Sequence, residues 1–154
     1  MGVKFAIDYP SDWSWEKSLG MIIISPPDAD TLYTFSNSLS IKEGVVVYPP
    51  EPTMHTTLEE LARVSLPSLL NSTYISNVSI DEFSTAKVFL LGHPAMRAVY
   101  SAKVGQTQTE AKFLDEKAII DKMGYSIGFP ARIDKYDSLL PVAEDIINSF
   151  REIS

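Results

Sequence analysis

The part of the sequence that most constrains the fold is residues 74–131, where strand-like segments follow one another without a helix between them. Apolar patterns mark segments 87–91, 95–103, 109–121 and 125–131, and the breaks between them contain Gly92-His93-Pro94, Gly105 and Lys122-Met123-Gly124. Short turns between consecutive strands favour antiparallel pairing, because parallel strands need a crossover of a dozen or more residues. This half of the chain therefore predicts an antiparallel sheet built from successive hairpins.

The N-terminal third of the chain is expected to add three more strands. Apolar alternation or short apolar runs predict strands at 3–9, 21–25 and 39–48, with Gly44 at a bulge in the last of them. Residues 28–38 are polar and are expected to form a loop.

Two segments have the 3.6-residue period of helices. Thr57 and Glu60 have the spacing of a capping box, and Pro67 predicts that the first helix kinks or ends near Leu66. The last helix is expected to begin with Ser138 as its cap and Pro141 in its first turn. Its apolar stripe comprises Leu139, Val142, Ala143, Ile146 and Phe150. Runs of strands with two separated helices predict an α+β fold, in a single domain spanning 1–154.

Composition excludes several classes of partner. The 154 residues carry 20 acidic and 13 basic side chains, a formal net charge of −7, which disfavours binding to nucleic acid or anionic lipid. The apolar runs are far shorter than the ~20 residues that span a bilayer, so no transmembrane segment is predicted. Cysteine is absent, which rules out disulfides and thiolate metal sites within this sequence.

Four motifs occur in an order that is similar to the PsbP-like family. They are Tyr9-Pro10-Ser11-Asp12-Trp13, Leu91-Gly92-His93-Pro94-Ala95 before a strand ending near Tyr100, Met123-Gly124-Tyr125-Ser126-Ile127 followed by Ala131 and Tyr136, and the final Asn148-Ser149-Phe150. The family is named for an extrinsic subunit of photosystem II and shares its fold with Ran-binding nuclear import factors. The resemblance spans nearly the whole chain and implies an α/β/α sandwich with a central antiparallel sheet and two main helices.

The resemblance also carries an expectation about location. Photosystem members of the family have an additional N-terminal docking segment, whereas short stand-alone members are commonly exported, often lipid-anchored proteins of prokaryotes. A strand that begins almost at Val3 predicts that a signal or lipid-anchor segment precedes this sequence. We therefore expect an extracytoplasmic location, with a cytoplasmic one as the alternative.

The two tryptophans receive different predictions. Trp13 follows a strand and turn and is expected to fill the core, because burial of so large a side chain contributes several kcal/mol. Trp15 is expected at the surface beside charged residues and is the better ligand candidate. Together with Tyr33 and Tyr48 it is predicted to line a pocket between the sheet and the first helix.

No catalytic or cofactor motif is present in the sequence. His55 and His93 are the only histidines and have no triad spacing, and the glycines are scattered singly at turns, so neither an enzyme nor a cofactor is predicted. Asp28 and Asp30 have the spacing of oxygen ligands for a metal, and Glu51 with His55 could add to them.

Three functions remain open at this point. The leading hypothesis is a non-enzymatic binding module that presents residues 26–38 and 49–56 to a protein partner at a cell envelope. The first alternative is a receptor for a small molecule or divalent metal. The second alternative is a hydrolase whose carboxylates come together only in the folded chain.

Overall fold

A central antiparallel sheet organises the chain in a computed structural model, which describes residues 4–35, 39–54, 57–61 and 75–153. The strands lie in the order β2 (Ser14–Ser18), β3 (Met21–Ser25), β6 (Val45–Val47), β13 (Met123–Arg132), β12 (Thr109–Ile120), β11 (Met96–Val104) and β8 (Ile75–Ser84), and β7 (Glu51–Pro52) pairs with β13. All these pairings are antiparallel. The predicted antiparallel sheet is confirmed.

Three two-stranded ladders and a long helix complete the described fold. The ladders join β1 (Lys4–Ala6) to β14 (Arg151–Ile153), β4 (Thr31–Phe35) to β5 (Leu39–Lys42), and β9 (Phe89–Leu90) to β10 (His93–Pro94). The C-terminal helix spans Ile133–Ser149, and residues 58–61 are also helical. The predicted α+β sandwich is confirmed.

The hairpin between β12 and β13 is closed by a two-residue turn. Ile120 pairs with Met123, so Asp121 and Lys122 form the turn. Both have positive φ, 51° and 66°, as a type I′ turn requires. The predicted hairpin is present, but of the predicted turn residues 122–124 only Lys122 lies in the turn, because Met123 and Gly124 belong to β13.

Alternation along the strands gives the sheet two apolar faces. On one face, Leu114 and Phe129 pack with Ile146 of the C-terminal helix and with Trp13, and we call this the helix face. On the other, Phe113 and Tyr100 belong to a second cluster that includes residues of β4 and β5, and we call this the hairpin face. Trp13 is only 7% exposed, which confirms its predicted place in the core.

Two predictions about the N-terminal third are wrong. Residues 31–35 form a strand rather than a loop, and the predicted strand 39–48 is two strands separated at Glu43 and Gly44. At the break Gly44 has φ +140°, and a Cβ there would overlap the carbonyl oxygen of Ile24. The break lets the chain pass from β5, paired with β4, into β6 of the central sheet.

The two predicted helix starts have different outcomes. Thr57 accepts a hydrogen bond from the Glu60 backbone N–H at 3.2 Å, which confirms the first cap, whereas Leu66 and Pro67 lie outside the described residues. The C-terminal helix begins at Ile133, five residues before Ser138, and contains Pro141 in its interior. This prediction is wrong because β13 runs directly into the helix.

Candidate functional site

A pocket of about 340 Å³ lies on the hairpin face, between the β12–β13 hairpin and the segment that follows β6. Its wall contains residues 48–53 except Pro50, together with Leu61 from the first helix. Its floor is made by Asp115 and Lys117 of β12 and by residues 124–127 of β13. The pocket therefore lies between the sheet and the first helix, where the sequence predicts one.

Backbone hydrogen bonds fix the wall against the edge of β13. The Tyr48 N–H donates to the carbonyl of Ser126 at 3.1 Å, and the Thr53 N–H donates to the carbonyl of Lys122 at 2.9 Å. Between these two bonds, β7 pairs with Met123–Gly124. The wall is thus attached at both ends and in its middle, so the pocket is a preformed feature of the fold.

Asp115 places a carboxyl group in the floor of this pocket. Its Oδ2 accepts a hydrogen bond from the Tyr100 hydroxyl at 2.9 Å. Burial raises the pKa of Asp115, while the charge of Lys117 and the bond from Tyr100 act in the opposite direction. A Cβ at Gly128, the cross-strand neighbour, would lie 2.7 Å from Asp115 Oδ1, so the glycine leaves room for the carboxyl group.

A second charged group joins the start of the C-terminal helix to the two sheets. We call Asp30, Glu43, Arg132 and Lys135 the Glu43 cluster. Glu43 Oε1 accepts from the Asp30 N–H at 2.9 Å and from Lys135 Nζ at 3.0 Å, and Oε2 accepts from the Arg132 N–H at 2.9 Å. The hydrogen bond and charge of Lys135 lower the pKa of Asp30, and the bonds to Asp30 and Glu43 raise the pKa of Lys135. The fully buried Glu43 is therefore satisfied from within the chain.

A third charged group lies beneath the C-terminal helix. Arg97 contacts Glu116 at 3.3 Å and Glu144 at 2.7 Å, which links β11 and β12 to the helix. Burial raises the pKa of Glu116, and the nearby charge of Arg97 only partly offsets this rise. Arg97 Nε is buried without a hydrogen-bond partner in the described part of the chain. Two of its nitrogens are held by carboxylates, so this group serves to attach the helix.

The structure does not bring the three predicted ligand residues together. Tyr48 lines the pocket, but Trp15 lies in β2 at the edge of the sheet, is 58% exposed, and is not among the lining residues. Tyr33 belongs to β4. The surface position of Trp15 is confirmed, while a ligand role for the three residues stays a prediction.

The predicted metal ligands have other surroundings. Lys135 Nζ lies 2.8 Å from the Asp30 carboxylate and 3.5 Å from the Asp28 carbonyl, so a lysine provides the positive charge at this loop. Glu51 lies in the wall of the pocket, and His55 falls outside the described residues. Within the described ranges no group of three or more His, Cys, Asp or Glu residues could hold a metal ion. Metal binding by Asp28 and Asp30 stays a prediction.

Asp115 and Lys117 line the pocket without having been predicted from the sequence. A signal for the first of them was present, because Asp115 continues the alternation that buries Ala111 and Phe113. A charged residue in register with a buried apolar face indicates either an internal partner or a site. The wall could not be found in the same way, since its pairing with β13 joins residues about seventy positions apart.

Comparisons with known proteins identify the fold. No protein-family model and no curated protein sequence matches the chain. The solution structure of cyanobacterial PsbP (CyanoP) from Synechocystis sp. PCC 6803 superposes with a TM-score of 0.56 at 12% identity, covering 94% of each chain. The chain has a PsbP-like fold. The crystal structure of LpqN from Mycobacterium tuberculosis, a protein involved in cell envelope biogenesis, gives a TM-score of 0.58 at 13% identity over 99% of this chain and 85% of LpqN.

The PsbP-like fold confirms the resemblance seen in the sequence motifs. At 12% and 13% identity the two structures share the fold with this chain, and the fold by itself does not determine function. No helix among the described residues is long and apolar enough to span a membrane.

Proposed function

We propose that the protein is a non-enzymatic binding module of the cell envelope, which holds a protein partner through the pocket and its wall at residues 48–53. The observation that carries this proposal is a preformed pocket whose wall is fixed to the sheet edge and whose floor contains the half-buried carboxyl group of Asp115. Binding residues commonly lie on loops that a rigid scaffold positions, and segment 48–53 has this arrangement.

The proposed extracytoplasmic location is supported by the structural neighbours. LpqN is involved in cell envelope biogenesis, and the PsbP-like fold of this chain is shared with it. A lipid anchor preceding this sequence would place the module at a membrane surface, which is the form we propose for the native protein.

The arrangement around Asp115 suits binding of a partner better than catalysis. Its described hydrogen-bond donor, Tyr100, is 3% exposed and approaches from the apolar interior, so this bond holds the carboxyl group in one orientation. Orientation of a charged group at a fixed place is what specific binding requires.

A capture experiment with matched variants tests this proposal. Tyr48 lines the pocket and Tyr9 does not, yet each is 38% exposed, so Tyr48→Ala and Tyr9→Ala remove the same group from surfaces of equal exposure. We expect the wild-type protein and Tyr9→Ala to retain the same protein from a native membrane extract, and Tyr48→Ala to lose it. Equal retention by all three, with thermal melts showing that each is folded, contradicts the proposal.

A small-molecule receptor is the second candidate, because a volume of about 340 Å³ falls within the range of ligand pockets. Thermal melts against the small-molecule fraction of the same extract separate the two candidates. Stabilisation of Tyr9→Ala but not of Tyr48→Ala, together with no protein retained, favours the receptor.

A further inference from the structure

The floor of the pocket presents one carboxylate oxygen that the described residues leave open. Asp115 Oδ2 accepts the Tyr100 hydroxyl, whereas Oδ1 accepts no hydrogen bond from any described residue. The backbone of Gly128 lies on the Oδ1 side, and the Tyr48 ring borders the same space, with Cε2 3.6 Å from the place that a Cβ at Gly128 would take. A half-buried carboxylate with an unused acceptor has lost part of its hydration without full replacement, so a donor that enters the pocket would be favoured.

The charges around the pocket favour a positively charged group. Asp115 and Glu51 contribute two carboxylates, while Lys117 contributes one ammonium group. Lys117 acts on Asp115 through its charge, without a hydrogen bond. A cation therefore meets a net negative lining, and the formal charge of −7 on the whole chain adds a long-range attraction for basic partners.

The uncharged lining suits a cation that is carried on a long apolar stem. The ring of Tyr48 lines the pocket, with Cε2 3.6 Å from the place that a Cβ at Gly128 would take, and the faces of such rings attract ammonium and guanidinium groups. Pro49 and Pro52 add apolar surface to the same wall. The methylene stems of lysine and arginine pack on surfaces of this kind while the charged end reaches a polar partner.

We propose that the pocket binds a lysine or arginine side chain displayed by a protein partner, with its cationic end paired to Asp115. The inference rests on the proposed function and adds the chemical class that the pocket recognises. Asp115 is the group that contacts the cation, Glu51 and Tyr48 complete the lining, and Tyr100 orients Asp115 from the interior.

An NMR titration with four blocked pentapeptides tests this inference directly. The peptides have the form Gly-Gly-X-Gly-Gly, where X is arginine, lysine, norleucine or glutamate. We expect the arginine and lysine peptides to shift the backbone amide signals of Ser126, Gly128 and neighbouring pocket residues, and the norleucine and glutamate peptides to leave them unchanged. Equal or stronger shifts with glutamate or norleucine overturn the inference.

Two variants that each remove one negative charge distinguish a direct contact with Asp115 from the overall negative charge of the protein. Asp115→Asn and Asp121→Asn remove the same charge, but Asp121 is exposed in the β12–β13 turn and is not in the pocket. We expect Asp115→Asn to weaken the arginine peptide about tenfold, as loss of one charged hydrogen bond does. Asp121→Asn should weaken it less than about twofold, because an exposed charge outside the pocket is screened by solvent and salt. Equal affinities of both variants overturn the inference.

The capture experiment distinguishes failure of this inference from failure of the proposed function. If Tyr48→Ala loses the partner but Asp115→Asn retains it fully, the binding module stands and the cationic ligand is wrong. If neither variant loses a partner, the proposed function fails as well. Loss of capture by both variants, with Asp121→Asn unaffected, supports both.

Discussion

Glu43 and Asp115 differ in how many hydrogen bonds their carboxylate oxygens accept from the rest of the protein. Glu43 is completely buried and accepts hydrogen bonds from Asp30, Arg132 and Lys135, so all of its charge is compensated within the fold. Asp115 is half-buried, accepts one described hydrogen bond and lines a pocket. The first carboxylate is thus fully hydrogen-bonded within the fold, while the second has an oxygen that the described residues leave without a donor.

The largest effect that follows from this comparison is the loss of stability on removing Glu43. Glu43→Ala leaves the N–H groups of Asp30 and Arg132 and the ammonium of Lys135 without their common acceptor. We expect a loss of about 3–5 kcal/mol in the free energy of unfolding, measured by urea denaturation. The exposed Glu110 provides the control, since Glu110→Ala should change stability by less than about 0.5 kcal/mol. A loss below about 1 kcal/mol for Glu43→Ala would show that the cluster is not structural.

The sequence predicts those parts of the fold that depend on contacts between residues close together in the chain. The hairpin of β12 and β13 was predictable, because apolar alternation and turn residues lie within one short segment, although its turn lies at Asp121 and Lys122 rather than at 122–124. The start of the C-terminal helix was not, because the Arg132 N–H is held by Glu43, 89 residues earlier in the chain. The local pattern predicts Ser138 as the cap, but its hydroxyl donates to the Lys135 carbonyl inside the helix.

The candidate site was only partly predictable for the same reason. Tyr48 and a pocket between the sheet and the first helix were predicted from the sequence, and Tyr48 lines the pocket that Leu61 borders. The floor at Asp115 and the wall at residues 48–53 meet through the pairing of β7 with β13, which no local pattern reveals. The sequence predicts Trp15 as an exposed aromatic residue, whereas the lining of a pocket depends on tertiary placement.

An intermediate effect is expected when Asp115 loses its internal donor. Tyr100→Phe keeps the ring, which stacks on Phe113 with centroids 4.9 Å apart, and removes the hydroxyl that donates to Asp115. We expect a loss of about 1–2 kcal/mol at neutral pH and a further rise in the pKa of Asp115, because the ionised form loses a hydrogen bond. Denaturation of Tyr100→Phe in the Asp115→Asn background is the control, where the loss should be smaller. An equal loss in both backgrounds would show that the hydroxyl acts elsewhere.

The smallest expected effects are changes in thermal stability with pH, which should have opposite signs for variants of Asp115 and Asp30. Burial raises the pKa of Asp115, so ionising it costs the folded state stability above its folded pKa and costs nothing below its unfolded pKa. Lys135 lowers the pKa of Asp30, so its contribution is present above the unfolded pKa and is lost as pH falls through the folded pKa. Relative to wild type, Asp115→Asn should therefore gain and Asp30→Asn should lose thermal stability as pH rises from about 3 to 7. Parallel curves for the two variants would remove the distinction between the Glu43 cluster and the pocket.

A pH titration of the Asp115 carboxyl carbon by NMR, with and without the arginine pentapeptide, measures directly whether a cation pairs with this group. A pocket carboxylate that is open to a cation should have a raised pKa in the free protein, and the pKa should fall when the peptide is bound, because the positive charge favours the ionised form. A raised pKa that falls on addition of the arginine peptide but not the norleucine peptide is the predicted result. A pKa that is unchanged by saturating arginine peptide would contradict the assignment of Asp115 as the binding group.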